Sequence, residues 1–414
     1  LEFDSRGNHL FENLKALILG GIFFGTGNKG AVFFRVGEKF LPEQLSEQIL
    51  SDGGHFERSP MYHCIVLEGL LTLLVGYRSQ GLQPPPDFES IIKRMLEFLQ
   101  AMLLPDGEYP LFNDSANEIA LPPQVLIDWG KTVLGWEFKT PVKTEQFVAS
   151  GYARLESGAG DVLIMDYGEP CPPFLPAHSH ADSLSFEWCL ADGNRVFTDP
   201  GIFEYTAGSW RDYFRSTKAH NTLCLDNQNS TEVWSSFRAS RKAKIMAAGL
   251  QKTENWTHVF AQHNGYSFLP GKPVHRRDLY LLKEGILLVI DTVTGSGKHF
   301  IETNLNLHPS WELTKNTGQS VSLHNNNHQL QLDFLNPGEL IIAKGELEPK
   351  SGWYSPQFNL KVPSLQITWR IETKIPYLNG FICYPSNSGL SYYHKDDRIY
   401  LNSGTGNYIF DLIY

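Results

Sequence analysis

The chain has 414 residues, enough for two domains with sizeable cores, and its 42% hydrophobic, 13% aromatic and 19% charged content is that of a globular protein slightly rich in aromatics. A net charge of −10 leaves no basic footprint for nucleic acid. Cys64, Cys171, Cys189, Cys224 and Cys383 are odd in number, widely spread and without a CxxC pair. They provide neither a disulfide framework nor a cysteine zinc site. No apolar run reaches membrane-spanning length; the longest, Leu14 to Phe24, is interrupted by Gly20-Gly21 and reads as a buried helix.

From Asn8 to about Leu104 the spacing is helical. His9 to Phe24 is apolar at helical spacing, and Leu41 to Leu50 is a shorter amphipathic turn and helix. Ser59-Pro60 opens the next helix with an N-cap and a proline at the first helical position, and apolar residues continue to Val75. Gln83-Pro-Pro-Pro86 is a hard break, after which Phe88 to Leu103 places Ile91, Ile92, Met95, Leu96 and Leu99 on one side of a helix. Leu104 to Pro123 is loop, rich in Pro, Gly, Asp and Asn. A last helix runs through Val125 to Leu134. The Lys139-Thr-Pro-Val-Lys143 stretch is the expected boundary, dividing the chain into 1–140 and 141–414.

Beyond it the pattern changes to short alternating runs separated by turns, beginning with Tyr152 to Leu155 and Val162 to Tyr167. Leu184, Phe186, Trp188 and Leu190 alternate with Ser185, Glu187 and Cys189, the period of a half-buried strand. Asp192-Gly193 turns the chain, and Val196 to Thr198 returns. Asp278 to Leu282 and Ile286 to Val293 form a hairpin about Lys283-Glu-Gly285. His299 to Leu307, Leu330 to Phe334, Ser364 to Thr373, Arg398 to Leu401 and Tyr408 to Tyr414 follow. This series predicts a large antiparallel β-sandwich.

The chemistry-bearing stretch is Pro176-Ala-His-Ser-His-Ala-Asp-Ser-Leu-Ser-Phe-Glu187. His178 and His180 sit two residues apart, and Asp182 follows. His180, Asp199 (in Asp199-Pro-Gly201) and His220 (in Lys218-Ala-His-Asn-Thr222) all fall at strand ends, where side chains from different strands converge. Two imidazoles and a carboxylate suit a tetrahedral zinc shell. Spacing alone suits three unrelated polar residues equally well.

The segments 178–187, 199–201 and Arg211-Asp-Tyr-Phe-Arg-Ser-Thr-Lys-Ala-His-Asn-Thr222 resemble the core of the heparinase II/III-like family, polysaccharide lyases (with related alginate lyases) acting on uronate-containing chains. The resemblance implies an α+β multidomain architecture: an N-terminal (α/α) toroid, here incomplete, then a large antiparallel β-sandwich, with the cleft between them. It implies that His180, Asp199 and His220 bind a metal, usually zinc, with a structural role, and that His178 faces the substrate.

It also implies the remaining roles. Lyases of this kind remove the C5 proton of a uronate and protonate the leaving oxygen at C4, so they need a carboxylate clamp, a base and an acid. Asn8, in Arg6-Gly-Asn-His-Leu10, matches a family asparagine that contacts the uronate carboxylate, although it also suits a plain helix cap. His9 beside it contributes in some relatives. Tyr62, in the D-G-x-x-x-E-x-S-x-x-Y-H pattern from Asp52 to His63, matches the family's general acid. His178 serves as base or charge stabiliser, and Tyr205 lies near a further tyrosine of alginate-cleaving relatives. Glu57 and Glu187 match acidic positions that orient neighbours, and Asn113-Asp114-Ser115 resembles a cleft loop without a derivable role.

The expected function is therefore a polysaccharide lyase on an acidic polysaccharide or oligosaccharide, alternatively a uronyl C5-epimerase or a catalytically silent glycan-binding protein. A periplasmic or secreted bacterial-type location, with an upstream portion beyond this chain, is the matching expectation. A net charge of −10 requires basic residues gathered locally for such a substrate, with Arg211, Arg215, Lys218, Arg276 and Arg277 as candidates. Nothing in the pattern speaks to the oligomeric state.

Overall fold

The computed structural model describes residues 4, 6–135, 137, 144–172, 174–404 and 406–412. The expected boundary at 139–143 and the last two residues of the terminal strand lie outside the described residues. The first part is helical: α1 (Gly7–Phe24), α2 (Ala31–Gln48), α3 (Pro60–Ser79), α4 (Phe88–Met102) and α5 (Pro123–Leu134).

α3 is its centre. Ser59 is extended and its Oγ accepts the Tyr62 N–H at 3.3 Å, while Pro60 needs no acceptor at the first helical position, so the helix starts sharply. Cys64, Leu67, Leu70, Leu71 and Leu74 are completely buried on its inward faces. Truncating any of these leucines to alanine should cost about 2–5 kcal/mol. By length and composition α3 could also cross a membrane, but here it is mostly buried among the other helices. α2 begins ten residues before the expected Leu41 and carries Pro42 inside it. Its first turns expose Val32 and Phe33, so no one-sided apolar pattern marks them.

Antiparallel sheets follow, three of them with four or more strands among the described residues. Glu145–Phe147, Tyr152–Glu156, Val162–Asp166, Phe186–Cys189 and Arg195–Phe197 form a five-stranded sheet in sequential order. The strand expected to be half-buried is buried on both faces. On one side Val162, Ile164 and Cys189 pack against Phe98, Ala101 and Met102 of α4. On the other, Leu163, Phe186 and Trp188 enter the main sandwich core. Glu187 is tolerated inside because Arg195 Nη1 lies 3.0 Å away and the Leu111 N–H donates at 2.6 Å.

The eight-stranded sheet contains the hairpin Val274–Leu282 and Leu287–Thr294, turning at Gly285 with φ 75°, as the Lys-Glu-Gly signal predicts. Val259, Leu279, Val289 and Phe381 face Leu305, Ile367 and Trp369 of a four-stranded sheet. Its opposite face is covered by the C-terminal strands through Ile399, Leu401 and Phe410. Ile202 and Tyr354, from the sheet-rich part, pack into the helical core. The segment after Asp199 is thereby brought to the start of α3.

Candidate active site and metal centre

Four loops converge at the N-terminal end of α3. Tyr62 lies in the first turn, half-buried, and its hydroxyl is 3.0 Å from that of Tyr205. The Tyr62 ring lies 4.0 Å from the imidazole of His178, centroid to centroid, tilted by 32°. Burial is the main cause that raises both phenols above the ordinary tyrosine range, so both are protonated near neutral pH. Phe237 closes this group, its ring 5.3 Å from Tyr205 and 6.2 Å from His178.

Asp114 organises the layer beneath. Its Oδ2 is 2.9 Å from His178 Nδ1, its Oδ1 is 2.9 Å from His180 Nε2, and both Arg211 terminal nitrogens bond to the same carboxylate. Burial opposes its charge, yet Arg211 and the two histidines hold it well below the usual carboxylate range. An ionised Asp114 only accepts, so it assigns the protons: His178 carries N–H at Nδ1 and His180 at Nε2. His178 Nε2 is left as the basic nitrogen, 3.5 Å from Glu57 Oε2. His180 Nδ1 is left as a lone pair. Asn113, at φ 57°, bends the loop so that its Oδ1 accepts the His180 backbone N–H at 3.0 Å.

The same logic picks out a candidate metal site. His180, Asp182 and His220 each present a ligand atom within 4.8 Å of the others. His180 Nδ1, Asp182 Oδ2 and His220 Nε2 are buried without a hydrogen-bond partner, so three unsatisfied donor atoms share one spot. Burial pushes His180 down to about 3 and Asp182 up to about 6. Asp199, the expected carboxylate ligand, instead bonds to His220 Nδ1 at 2.7 Å and accepts the Gly201 N–H at 3.1 Å. Burial works against a charged His220, but Asp199 lifts it above the ordinary histidine range. In this arrangement Asp182 presents the free oxygen beside His180 and His220, while Asp199, the expected carboxylate, stands behind His220 and orients it. These residues fit a divalent cation.

The surrounding motif residues hold the loops in place. Asn221 Nδ2 donates to Phe186 O at 2.8 Å and to Thr198 O at 3.0 Å, joining the loops that carry Asp182, Asp199 and His220. Arg277 grips Asp291 at 2.8 Å with two nitrogens and donates to the carbonyls of Leu184 and Asn221. Leu184 sits at φ 65°, unfavourable for a branched side chain, and this contact holds it there.

Asn8 is buried at the start of α1, its backbone N–H donating to Glu57 Oε1 at 3.0 Å, so Glu57 lies between Asn8 and His178. Gly7 makes this approach possible: at φ 56°, a Cβ there would lie 2.1 Å from Glu57 Oε1. His9 is exposed and lies close enough to act on the charge of Glu57.

The proposed basic patch is overturned. Arg211, Arg215 and Arg277 are 0%, 1% and 0% exposed and are spent on internal partners. Arg276 pairs with Asp278 at 2.7 Å and Lys218 with Glu302 at 2.7 Å. Guanidiniums this deep clamp carbonyls and carboxylates within the fold. Asp114 and Phe237 had no role in the sequence reading; Asp182 carried a visible signal, the H-x-H-x-D spacing.

A helical part joined to antiparallel sheets, with an H-x-H loop presenting one imidazole toward a tyrosine pair and another toward a cation-ready centre, defines a two-part scaffold. The heparinase II/III N-terminal model matches residues 1–126 and the heparinase II/III-like C-terminal model residues 139–386. The chain belongs to the heparinase II/III family. It is 22% identical to a heparin-sulfate lyase of Bacteroides stercoris over 419 aligned residues, covering 93% of this chain and 58% of that protein. A 27% match to FtsZ-localized protein C of Caulobacter vibrioides covers 56% of this chain and 38% of that protein. The crystal structure of heparan sulfate lyase HepC from Pedobacter heparinus superposes with a TM-score of 0.76 at 18% identity, over 98% of this chain and 66% of that one. The chain spans 51–58% of the length of the curated heparin-sulfate lyases it matches.

Proposed function

We propose that the protein is a polysaccharide lyase that cleaves a uronate-containing acidic polysaccharide of the heparan sulfate class by β-elimination. The observation that carries this reading is the Tyr62–Tyr205–His178 group, with hydroxyls 3.0 Å apart and an imidazole whose tautomer Asp114 dictates. The family and the names of the relatives supply the substrate class.

Elimination breaks the C5–H and C4–O bonds of the uronate and forms the C4–C5 double bond. Asn8, beside Glu57, takes the uronate carboxylate, which must be neutralised for C5–H to become acidic. His178 Nε2 accepts the C5 proton. As charge builds on the imidazole, Asp114 stabilises it through Nδ1–H. Tyr62, kept protonated by burial, delivers its proton to the departing O4. Tyr205, in hydrogen-bond reach, shares that proton and holds the phenol in place.

His180, Asp182 and His220 would hold a divalent cation, zinc by donor type. Such a cation supplies structural charge and fixes the H-x-H loop; elimination needs no activated water. The loop then carries His178 at a set distance from Tyr62. The test is absorbance from conjugated unsaturated uronate on a panel of heparan sulfate, alginate, hyaluronan, chondroitin and pectate. A rise with one polymer, lost in Tyr62→Phe, supports the reading; silence on all of them, with fold and cation intact, overturns it.

A further inference from the structure

With Arg211, Arg215 and Arg277 buried and Arg276 and Lys218 each paired with a carboxylate, the groups that recognise a polyanion must be found elsewhere. The short hairpin formed by Val233–Trp234 and Arg238–Ala239 stands out. Its tip exposes Trp234 by 45% and Phe237 by 41%, and Arg238 is exposed across the pair from Trp234. Among the described residues the arginine ion pairs do not include Arg238.

This tip is fixed from below. Arg215 Nη1 donates to Ser235 O at 3.1 Å and its Nη2 to Arg238 O at 3.2 Å. The same guanidinium holds Ser179 O, between the two histidines of the H-x-H loop, at 2.9 Å. Arg211 Nε donates to Ser236 O at 2.8 Å while its terminal nitrogens grip Asp114. Two buried arginines thus tie the hairpin to the same groups that set His178. Phe237 lies against the His178 and Tyr205 rings, so the exposed surface is continuous with the reacting centre.

We propose that the 234–238 tip is a sugar-binding platform: Phe237 and Trp234 stack on pyranose faces beside the cleaved bond, and Arg238 pairs with a carboxylate or sulfate of that residue. Apolar ring faces flanked by one uncompensated guanidinium fit an anionic pyranose better than an apolar peptide or a neutral glycan. The proposal rests on the substrate class proposed above, not on cleavage.

The test uses a heparan sulfate decasaccharide and the full chain carrying Tyr62→Phe, so that binding is read without turnover, by calorimetry and by tryptophan fluorescence. In that background Phe237→Ala should raise Kd about two- to tenfold, the range for one lost aromatic contact, while Phe237→Trp stays near the parent. Arg238→Gln should weaken binding and reduce its salt dependence. Near-UV circular dichroism and the melting temperature confirm that each variant keeps the fold. Unchanged Kd in Phe237→Ala, Trp234→Ala and Arg238→Gln overturns the platform, as does failure of the parent to bind. Platform-dependent binding by a wild-type chain that cuts nothing would retain the platform and reject the lyase; cutting that is indifferent to all three changes would do the reverse.

Discussion

The hydroxyls of Tyr62 and Tyr205 lie 3.0 Å apart although the residues are 143 positions apart in sequence and come from the helical and sheet-rich parts respectively. Each is buried enough to stay protonated, so one phenol donates to the other and the second proton is free for a ligand oxygen. Tyr62→Phe should reduce elimination by about 100- to 10,000-fold, the range for loss of a general acid. Tyr205→Phe should cost less, because it removes only the neighbour that holds that proton. Initial rates on the cleaved polymer give the comparison; a Tyr205 variant more impaired than the Tyr62 variant would reverse the assigned roles.

Asp114 is the charge on which both histidines and Arg211 depend. Asp114→Ala leaves a guanidinium that is 0% exposed without its carboxylate, and unfolding stability should fall by about 3–5 kcal/mol. Urea unfolding followed by circular dichroism measures this. A loss below 1 kcal/mol would mean that solvent reaches Arg211.

The choice between Asp182 and Asp199 as the carboxylate ligand is testable by cation content. His220→Ala and Asp182→Asn should lose stoichiometric zinc, and Asp199→Asn should bind it about 10- to 100-fold more weakly, as expected for a residue that only orients a ligand. Chelation should lower the melting temperature of the wild type and leave Asp182→Asn unmoved. Metal analysis showing full zinc in Asp182→Asn and none in Asp199→Asn would restore the original set.

Acid should act through buried histidines. Burial pushes His63 down to about 4 from its ordinary 6.5, with the ring bonded to Met95 O at 3.0 Å. Its folded pKa is depressed, so between pH 6.5 and 4 the unfolded chain binds more protons. Its contribution is whole above 6.5 and is lost as pH falls, by up to about 1.4 kcal/mol per unit. Denaturant midpoints at pH 7 and pH 5 should differ more for wild type than for His63→Gln; equal differences would remove His63 from the acid limb.

Much of this was readable in the sequence where the signal is local. The Ser59-Pro60 start of α3, the turn at Gly285 and the histidine motifs need only neighbouring residues. Asp114 was opaque because its partners lie 64 to 97 positions away. Arg211, Arg215 and Arg277 look like surface charges in a string of letters; only the fold reveals that each has buried carbonyls or a carboxylate to hold. The choice between Asp182 and Asp199 turns on which oxygen His220 uses, a fact of side-chain direction that spacing does not contain.

The most direct measurement is the mass of the products from a defined heparan sulfate octasaccharide. Elimination predicts two fragments whose masses sum to that of the substrate, the non-reducing end of one being an unsaturated uronate one water lighter than a hydrolysis product, and their yield falling about 100- to 10,000-fold with Tyr62→Phe. Fragments that have gained a water, or fragments that persist undiminished in Tyr62→Phe, would contradict the account.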